Sequence, residues 1–476
     1  MQIANDLAGL LLVVAALGSP VCSQETGRTA ITLGDLPLLF ADDSAIASQQ
    51  GTQRTIHPGK TTTEPVLSPD RPWEGCRVYA TGAVYFDESQ GLFRLWYGGG
   101  GLLYATSHDG VHWEKPALGI YPDKDSQATN IAFKGFACPS VLLDRRESDP
   151  AKRYKMVGSR VTKGYYSAYS ADGLHWTEID KPIFMYHDTI TLAQDPQSGD
   201  YLAYHKRHWN HRGFNRRTVW LSRSHDFLAW SEPHMVFAPD EEDDAWASGP
   251  QQRTEVYNMS VLPHASGFLG FPTMFRLTRL IDAKTVKPQQ SPADGSINVQ
   301  LVTSIDGESW QRTRPRVVVI PNGPPGSFDA GCILNVSSTA AHTDQETWLY
   351  YTGVNTTHGG TLPPKQMSLG RAVWRRHGFA SLDATADARI ETRPVQLAGP
   401  GLTVNADARN GRLRVAVLEA DGRPVSGLSL DDCEPLCGDA TQHTLRWRSG
   451  QRPPTDRPVR FVIAMSACSL FSLEYR

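Results

Sequence analysis

The stretch SHDGVHW, Ser107 to Trp113, returns in this chain as SADGLHW (Ser170 to Trp176) and SIDGESW (Ser304 to Trp310), and in a worn form as SHDFLAW (Ser224 to Trp230). The four serines stand at 107, 170, 224 and 304, at intervals of 63, 54 and 80 residues. Repeats of that size mark a unit of supersecondary structure rather than a single strand. An Asp-Gly pair between two apolar runs is a tight hairpin turn, because glycine takes the positive φ that such a turn needs. The Ser and Asp side chains can bond the turn amides, and the Trp can pack between neighbouring units. The repeat therefore reads as scaffold, a fastener between units, and not as a reacting site.

Each copy closes a segment with one grammar. In the first unit RVYATGAVYF, FRLWYGG, LLYATS and VHWEK read as four strands separated by turn residues. A fifth segment, GCILNVSSTAAH, TWLYYTGV and MSLGRAVW, ends in RRHGFASL with Phe379 in the place of the Trp. Four short strands per unit, rich in Val, Tyr, Trp and Leu, are the sequence form of a propeller blade. Five units predict an all-β chain with a five-bladed β-propeller over residues 24–390. Beyond Ala384 the character shifts to alternating strands joined by turns such as Asp421-Gly422. That pattern predicts a small C-terminal β-sandwich over residues 391–476.

Hydrophobic residues make up 40% of the 476 and charged residues 20%, the balance of a globular chain. Lys plus Arg number 47 against 50 Asp plus Glu, too small an excess to point to nucleic acid or a membrane surface as partner. Leu10 to Leu17 (LLLVVAAL), followed by VCS, reads as a signal peptide over residues 1–23, although its leading MQIAND has no Lys or Arg. The run is too short to span a bilayer, so the expectation is a secreted or periplasmic protein without membrane insertion. No C-x-x-C pair and no zinc-ligand spacing is present, and Cys433 and Cys437 could form a local disulfide or remain thiols. DEEDD (Asp240 to Asp244) lacks the alternation of a calcium loop, and no glycine-rich phosphate loop joins a strand to a helix, so neither metal nor organic cofactor is expected.

A propeller turns the inner strand of each blade towards a central channel, so the residues that open those strands converge. PWEGCRVY places Trp73, Glu74 and Arg77 there; MYHDTITLAQD offers His187 and Asp188; RTEVYNMS offers Arg253, Glu255 and Tyr257. GSFDAGCILN adds Asp329 and YYTGVNTTHGG adds His358. Glu74, Asp188, Glu255 and Asp329 would then face one another across a funnel. Two carboxyls in such a cavity can have their pKa values pushed apart, leaving one protonated acid and one ionised base or nucleophile, as glycosidic cleavage requires. Trp73, Tyr257 and Trp209 would stack on sugar faces. Arg77, Arg253, Lys206, Arg207 and His358 would bind hydroxyls or an acidic group, and HKRHWNHRGFNRR from His205 reads as a basic rim loop. Each residue has a structural alternative: Glu255 as the ion-pair partner of Arg253, Glu74 in a turn, His358 capping a loop, Asp188 and Asp329 bonding amides of a neighbouring blade.

The five-unit grammar, the Trp-Glu-Gly opening, LYATSHDGVHWEKPALG and the closing RRHGFASLDA resemble secreted bacterial proteins related to glycoside hydrolase families 32 and 43. The resemblance implies a five-bladed propeller holding an Asp base or nucleophile, an Asp that tunes pKa and a Glu general acid, with a β-sandwich behind it as in family 32. Glu255-Val256 stands where family 32 has Glu-Cys, which implies Glu255 as the acid that protonates the leaving oxygen. Asp188 or Asp329 is then base or nucleophile. The family's Trp-x-Asn-Asp-Pro-Asn-Gly opening is absent, and DRRESDP only loosely matches its Arg-Asp-Pro. The repeat is also similar to the sialidase Asp-box, one residue shorter, which marks a turn and not an activity. The expected function is an exported glycoside hydrolase acting on a poly- or oligosaccharide, an anionic one among those allowed. A non-catalytic carbohydrate- or protein-binding propeller is the competing class. Sugar, linkage, stereochemistry and oligomeric state are not legible.

Overall fold

Short apolar alternations broken by Gly, Asp and Ser favour strands over helices, and the described residues hold thirty-four strands against one four-residue α-helix, Glu241–Asp244. The structure, a computed structural model, describes residues 30–475 except 125, 161, 162, 187 and 289. The expected signal peptide and His187 lie outside the described residues. Among those residues no helix is long and apolar enough to cross a membrane.

The repeat units fold as antiparallel meanders. Val84–Asp87, Leu92–Gly98, Leu102–Ser107 and Ile131–Phe133 form one four-stranded sheet. Ala137–Leu143, Tyr154–Arg160, Gly164–Ser170 and Thr177–Phe184 form the second, and Ile190–Gln194, Tyr201–His211, Phe214–Ser224 and His234–Phe237 the third. The fourth begins with Arg253–His264, Gly267–Leu280 and Ala293–Gln300, and joins the fifth through a parallel pairing of Ile297 with Cys332. The fifth holds Cys332–Val336, Glu346–Val354 and Met367–Arg375.

Two outer edges differ from the expectation. VHWEK is not the fourth strand of the first unit: Glu114 makes an isolated bridge to Thr106, and the edge is taken later by Ile131–Phe133. RRHGFASL does not close the fifth unit either. His377 has φ 51, the chain turns away there, and Ala380–Ala384 pairs with Gln53–Ile56 in another sheet. The vacant edge is filled by Lys60–Thr61, paired with Val373 and Ala372, so an N-terminal strand completes the last meander. Covering that edge also removes a row of open backbone groups.

The repeated turn fastens one meander to the next. In each full copy the Gly amide donates to the Ser Oγ at 2.9 Å, and the Asp carboxylate accepts the next two amides at 2.7–2.9 Å. The Gly carbonyl then accepts from an aromatic side chain of the preceding meander. Trp96 Nε1 donates to Gly173 at 2.6 Å, Tyr204 OH to Gly307 at 2.7 Å, and Tyr350 OH of the fifth meander to Gly110 of the first at 2.7 Å. That last bond closes a ring. The repeat Trp packs across the same seams, Trp113 on Tyr350 with centroids 5.6 Å apart. In the worn copy Phe227 takes the glycine place at φ 64, buried, with Lys155 of the second meander over its ring at 5.6 Å.

The other strands form one eleven-stranded sheet that draws on both ends of the chain. Ile31–Leu33 pairs in parallel with Val395–Leu397, Leu38–Leu39 with Cys468–Tyr475, and Ile46–Gln50 with Ala388–Thr392. This sheet carries its own core, with Leu33, Phe40, Val404, Phe461 and Ile463 among its fully buried members. A unit confined to residues 391–476 is therefore corrected: residues 31–56 belong to it as well. The reason is pairing, since the N-terminal apolar runs find open edges there and none among the meanders before Lys60. The unit rests on the fourth meander, where the Ala265 amide donates to Pro37 at 2.9 Å and Ser44 and Ser266 share a buried hydroxyl bond.

Candidate functional site

HKRHWNHRGFNRR is a hairpin, not a loop. Tyr201–His211 and Phe214–Ser224 run antiparallel around Arg212 and Gly213, both at positive φ. Alternation sends Lys206 and His208 to one face and His205 and Arg207 to the other. Across the pair Val219 stands opposite Lys206, and Arg217 opposite His208. His205 is buried on the far face, its ring 4.0 Å from that of Phe184, and burial pushes its pKa well below the usual histidine range. Arg207 lies over Trp220 at 4.6 Å, and Trp209 is exposed against the same Trp220.

On the near face Lys206 is 2% exposed, its Nζ 2.8 Å from Asp188 Oδ2 and 3.7 Å from the Tyr257 ring centroid. Burial lowers the Lys206 pKa, and the charge of Asp188 opposes that shift. Asp188 keeps 38% of its side chain exposed. Burial works to raise its pKa, but Lys206, aided by Arg217, outweighs burial and holds it below the usual carboxylate range. Asp188 is ionised at neutral pH. Its backbone has φ 117, and its amide donates to Ser159 Oγ at 3.2 Å. A non-glycine residue there carries strain on the order of 1–3 kcal/mol, and such strain gathers at functional sites.

Glu255 has a different setting. Its side chain is 1% exposed. Oε1 accepts from Arg253 Nε at 2.9 Å and Nη2 at 2.8 Å, while Oε2 accepts from Arg217 Nη1. Both oxygens are taken by guanidinium donors, and the carboxylate is buried. Glu255, expected as the acid from Glu255-Val256, here anchors Arg217, whose Cζ lies 5.6 Å from the Tyr257 ring centroid. Arg253 is spent on the same carboxylate.

Two more predicted acids are internal. Asp329 is buried and accepts from Ser327 Oγ at 2.7 Å and Tyr351 OH at 2.8 Å. Glu74 is buried and accepts from the amides of Asp70 and Arg71, from Lys115 Nζ at 2.8 Å and from Tyr97 OH at 2.6 Å. It braces the Pro72–Glu74 turn rather than a ligand, and Trp73 donates its Nε1 to Asn130. Arg77 is half-buried beside the Tyr79 phenol, whose pKa burial pushes up to about 12.

His358 does join the group. Its Nδ1–H donates to the Ala293 carbonyl at 2.9 Å, and its ring meets Tyr257 edge-on at 5.1 Å. Burial pushes its pKa down to about 3, so the ring is neutral with the lone pair on Nε2. The structure thus gathers Asp188, Lys206, Tyr257 and His358 with Arg217, while Glu74, Trp73 and Asp329 bond to other partners. Arg217 was missed in the sequence, as was Cys138 at φ 48, whose thiol is pushed up to about 12 by burial and the Asp188 charge. Hairpin alternation alone would have paired Arg217 with His208. A cavity of about 550 Å³ opens beside this group, with Cys138 and Ser159 in its wall. Among the described residues no three His, Cys, Asp or Glu side chains converge as a metal site. The described cysteines are free thiols, Cys433 buried and Cys437 exposed.

No protein-family model matches the chain, and no curated protein matches it. Among solved structures, an N-acetylgalactosamine deacetylase from F. plautii, in complex with blood group B trisaccharide, is similar at 14% identity over 73% of this chain and 94% of that one, with a TM-score of 0.39. A structure from the GH130 family of mannoside phosphorylases, a family containing glycoside hydrolases that target β-1,2 mannosidic linkages in Candida mannan, is 16% identical over 67% and 94%, with a TM-score of 0.41. The catalytic domain of the Coprinopsis cinerea GH62 α-L-arabinofuranosidase is 10% identical over 67% and 97%, with a TM-score of 0.42. Likeness at this level says nothing of the chemistry, which has to be read from the side chains.

Proposed function

We propose that the chain is an exported glycoside hydrolase with a five-bladed propeller, and that Asp188 is its reacting carboxylate. One observation carries this reading. Of the four acids at inner-strand starts, Asp188 alone keeps an exposed carboxylate, and it is held at φ 117 against a buried lysine. An ionised carboxylate so fixed suits attack on an anomeric carbon, or activation of water beside it, where positive charge develops in the transition state. Lys206 orients it and keeps it charged, and Arg217, anchored by Glu255, adds a second cation. The leaving oxygen needs a proton. The Tyr79 and Tyr257 phenols, raised by burial, both carry one at neutral pH, while Lys206 stays with Asp188 as its counter-ion. The motifs shared with families 32 and 43 and the signal-like run at Leu10 to Leu17 support a glycan outside the cytoplasm as substrate.

A second reading, glycan binding without cleavage, draws on the burial of Glu255 and Asp329, which leaves no second exposed carboxylate among the four. A panel of poly- and oligosaccharides, assayed for released sugar with the mature protein and with Asp188→Asn, separates the two. Cleavage by the parent protein that falls by roughly 10²–10⁴-fold in the variant supports the hydrolase reading. A glycan that binds both proteins equally and is released intact overturns it in favour of binding.

A further inference from the structure

We propose that the cavity beside Asp188 is a subsite for the anionic group of an acidic sugar residue, a uronate carboxylate or a sulfate ester. This deepens the glycan-cleaving reading and rests on it.

The cavity, of about 550 Å³, lies between the first and second meanders. That volume suits one or two sugar rings. It adjoins Asp188 at two lining residues: Ser159 accepts the Asp188 amide at 3.2 Å, and the Asp188 charge acts on the Cys138 thiol. A ring with its anomeric carbon at Asp188 therefore directs a substituent or a neighbouring residue into this space.

The charge of its wall is one-sided. Lys134, Arg160 and Lys163 line it, and no Asp or Glu among the described residues does. Lys134 Nζ donates to the Pro122 carbonyl, a neutral partner that leaves its charge uncompensated. Arg160 is paired with Glu178 and lies over the Tyr166 ring at 4.6 Å, which fixes the guanidinium in place. Lys163 is exposed at the mouth, one turn from Arg160 through its amide bond to the Arg160 carbonyl. Two acids adjoin this space: Glu178, paired with Arg160, and Asp188, offset by Lys206 at 2.8 Å and by Arg217. The opposite wall is bare backbone at Gly100 and Gly101, with φ 73 and 145. A Cβ there would stand 2.7 Å from the Trp73 oxygen and 2.5 Å from the Phe133 oxygen, so no side chain can be placed on that wall without moving the main chain. A neutral sugar needs hydroxyl partners of both kinds; a wall lined by cations, with the adjoining acids already ion-paired, selects charge instead.

The test uses the full mature chain carrying Asp188→Asn, so that binding is read without turnover. Affinities by calorimetry at low salt are compared for an oligogalacturonide, its methyl-esterified form, and a sulfated and an unsulfated galactan oligosaccharide. The expected result is an affinity about tenfold higher for one acid form than for its neutral counterpart, the scale of one charge-assisted hydrogen bond, with the preference shrinking as salt rises. Uronate or sulfate is identified by which pair shows it. Adding Lys134→Ala and Lys163→Ala should collapse the preference to about threefold or less. Equal affinity within both pairs overturns the proposal, as does a preference that survives the two lysine substitutions. The cleavage reading is judged apart from this, by whether Asp188→Asn removes turnover. Lost turnover without an acid preference sinks the subsite and spares that reading, whereas an acid preference without any turnover does the reverse.

Discussion

Glu255→Gln separates a buried anchor from an acid catalyst, because only the anchor role predicts a large loss of stability. The carboxylate accepts from Arg253 through Nε at 2.9 Å and Nη2 at 2.8 Å, and from Arg217 on its other oxygen. Glutamine keeps one acceptor oxygen and turns an amide N–H₂ towards the remaining guanidinium, donor against donor. At least one charge-assisted bond is lost, worth about 1.5–3 kcal/mol. The arginines also lose their counter-charge, and neither can swing into water, since their side chains are 10% and 13% exposed. Breaking a buried pair in this way costs about 3–5 kcal/mol in all. Urea unfolding followed by tryptophan fluorescence should show the unfolding free energy falling by that amount and the midpoint with it, together with weaker glycan turnover as Arg217 loses its place. A variant that unfolds at the parent midpoint and is nonetheless inactive would refute the reasoning and restore Glu255 as the proton donor.

Two further outcomes follow from the fold and its buried groups. Gly173→Ala should destabilise by about 2 kcal/mol or more, because φ 77 suits glycine and the new Cβ would stand 2.6 Å from the Trp96 ring that binds this turn; Gly422→Ala, at φ 89 but in open space, should cost only the conformational part of about 1 kcal/mol, and urea midpoints compare the two. His358, with a folded pKa of about 3 against 6.5 when unfolded, takes up its proton more readily in the unfolded chain, so stability is unaffected above pH 6.5 and falls by about 1.4 kcal/mol per pH unit between there and pH 3. His205 and His342, also well below the usual range, add to the slope. His358→Gln should reduce it by one proton's share, read from unfolding midpoints at pH 6.5, 5.5 and 4.5.

The meanders were legible because their signal is local. A Ser-x-Asp-Gly turn binds its own amides within three residues, and the motif shows in sequence whatever lies beyond it. Edges were not legible, because edges are settled by distant partners. Lys60–Thr61 is two residues long, has no periodicity, and pairs with Val373 and Ala372 some three hundred positions away. Ile31–Leu33 is recognisable as a strand, yet its parallel partner Val395–Leu397 leaves no trace in it. The same limit explains the first meander, where Ile131–Phe133 outcompetes the nearer VHWEK for one edge.

At the site, position along the inner strands named the acids but not the donors that the fold sets against each of them. Equivalent starts brought Asp188, Glu255 and Asp329 forward together, but reactivity depends on which lone pairs the fold leaves unclaimed. The hairpin Tyr201–His211 and Phe214–Ser224 decides that for two of them, since one face carries both Lys206 and Arg217. Lys206 reaches the acid that opens its own meander, and Arg217 reaches the acid of the next. Glu255 receives a second arginine and is saturated. Asp188 accepts from Lys206 on Oδ2 and from the Thr189 amide on Oδ1, and keeps over a third of its side chain in the open. Two acids of similar sequence setting thus become unlike in chemistry through the number and charge of their donors, and that difference is why the proposed reaction is assigned to Asp188, the one that keeps an open face.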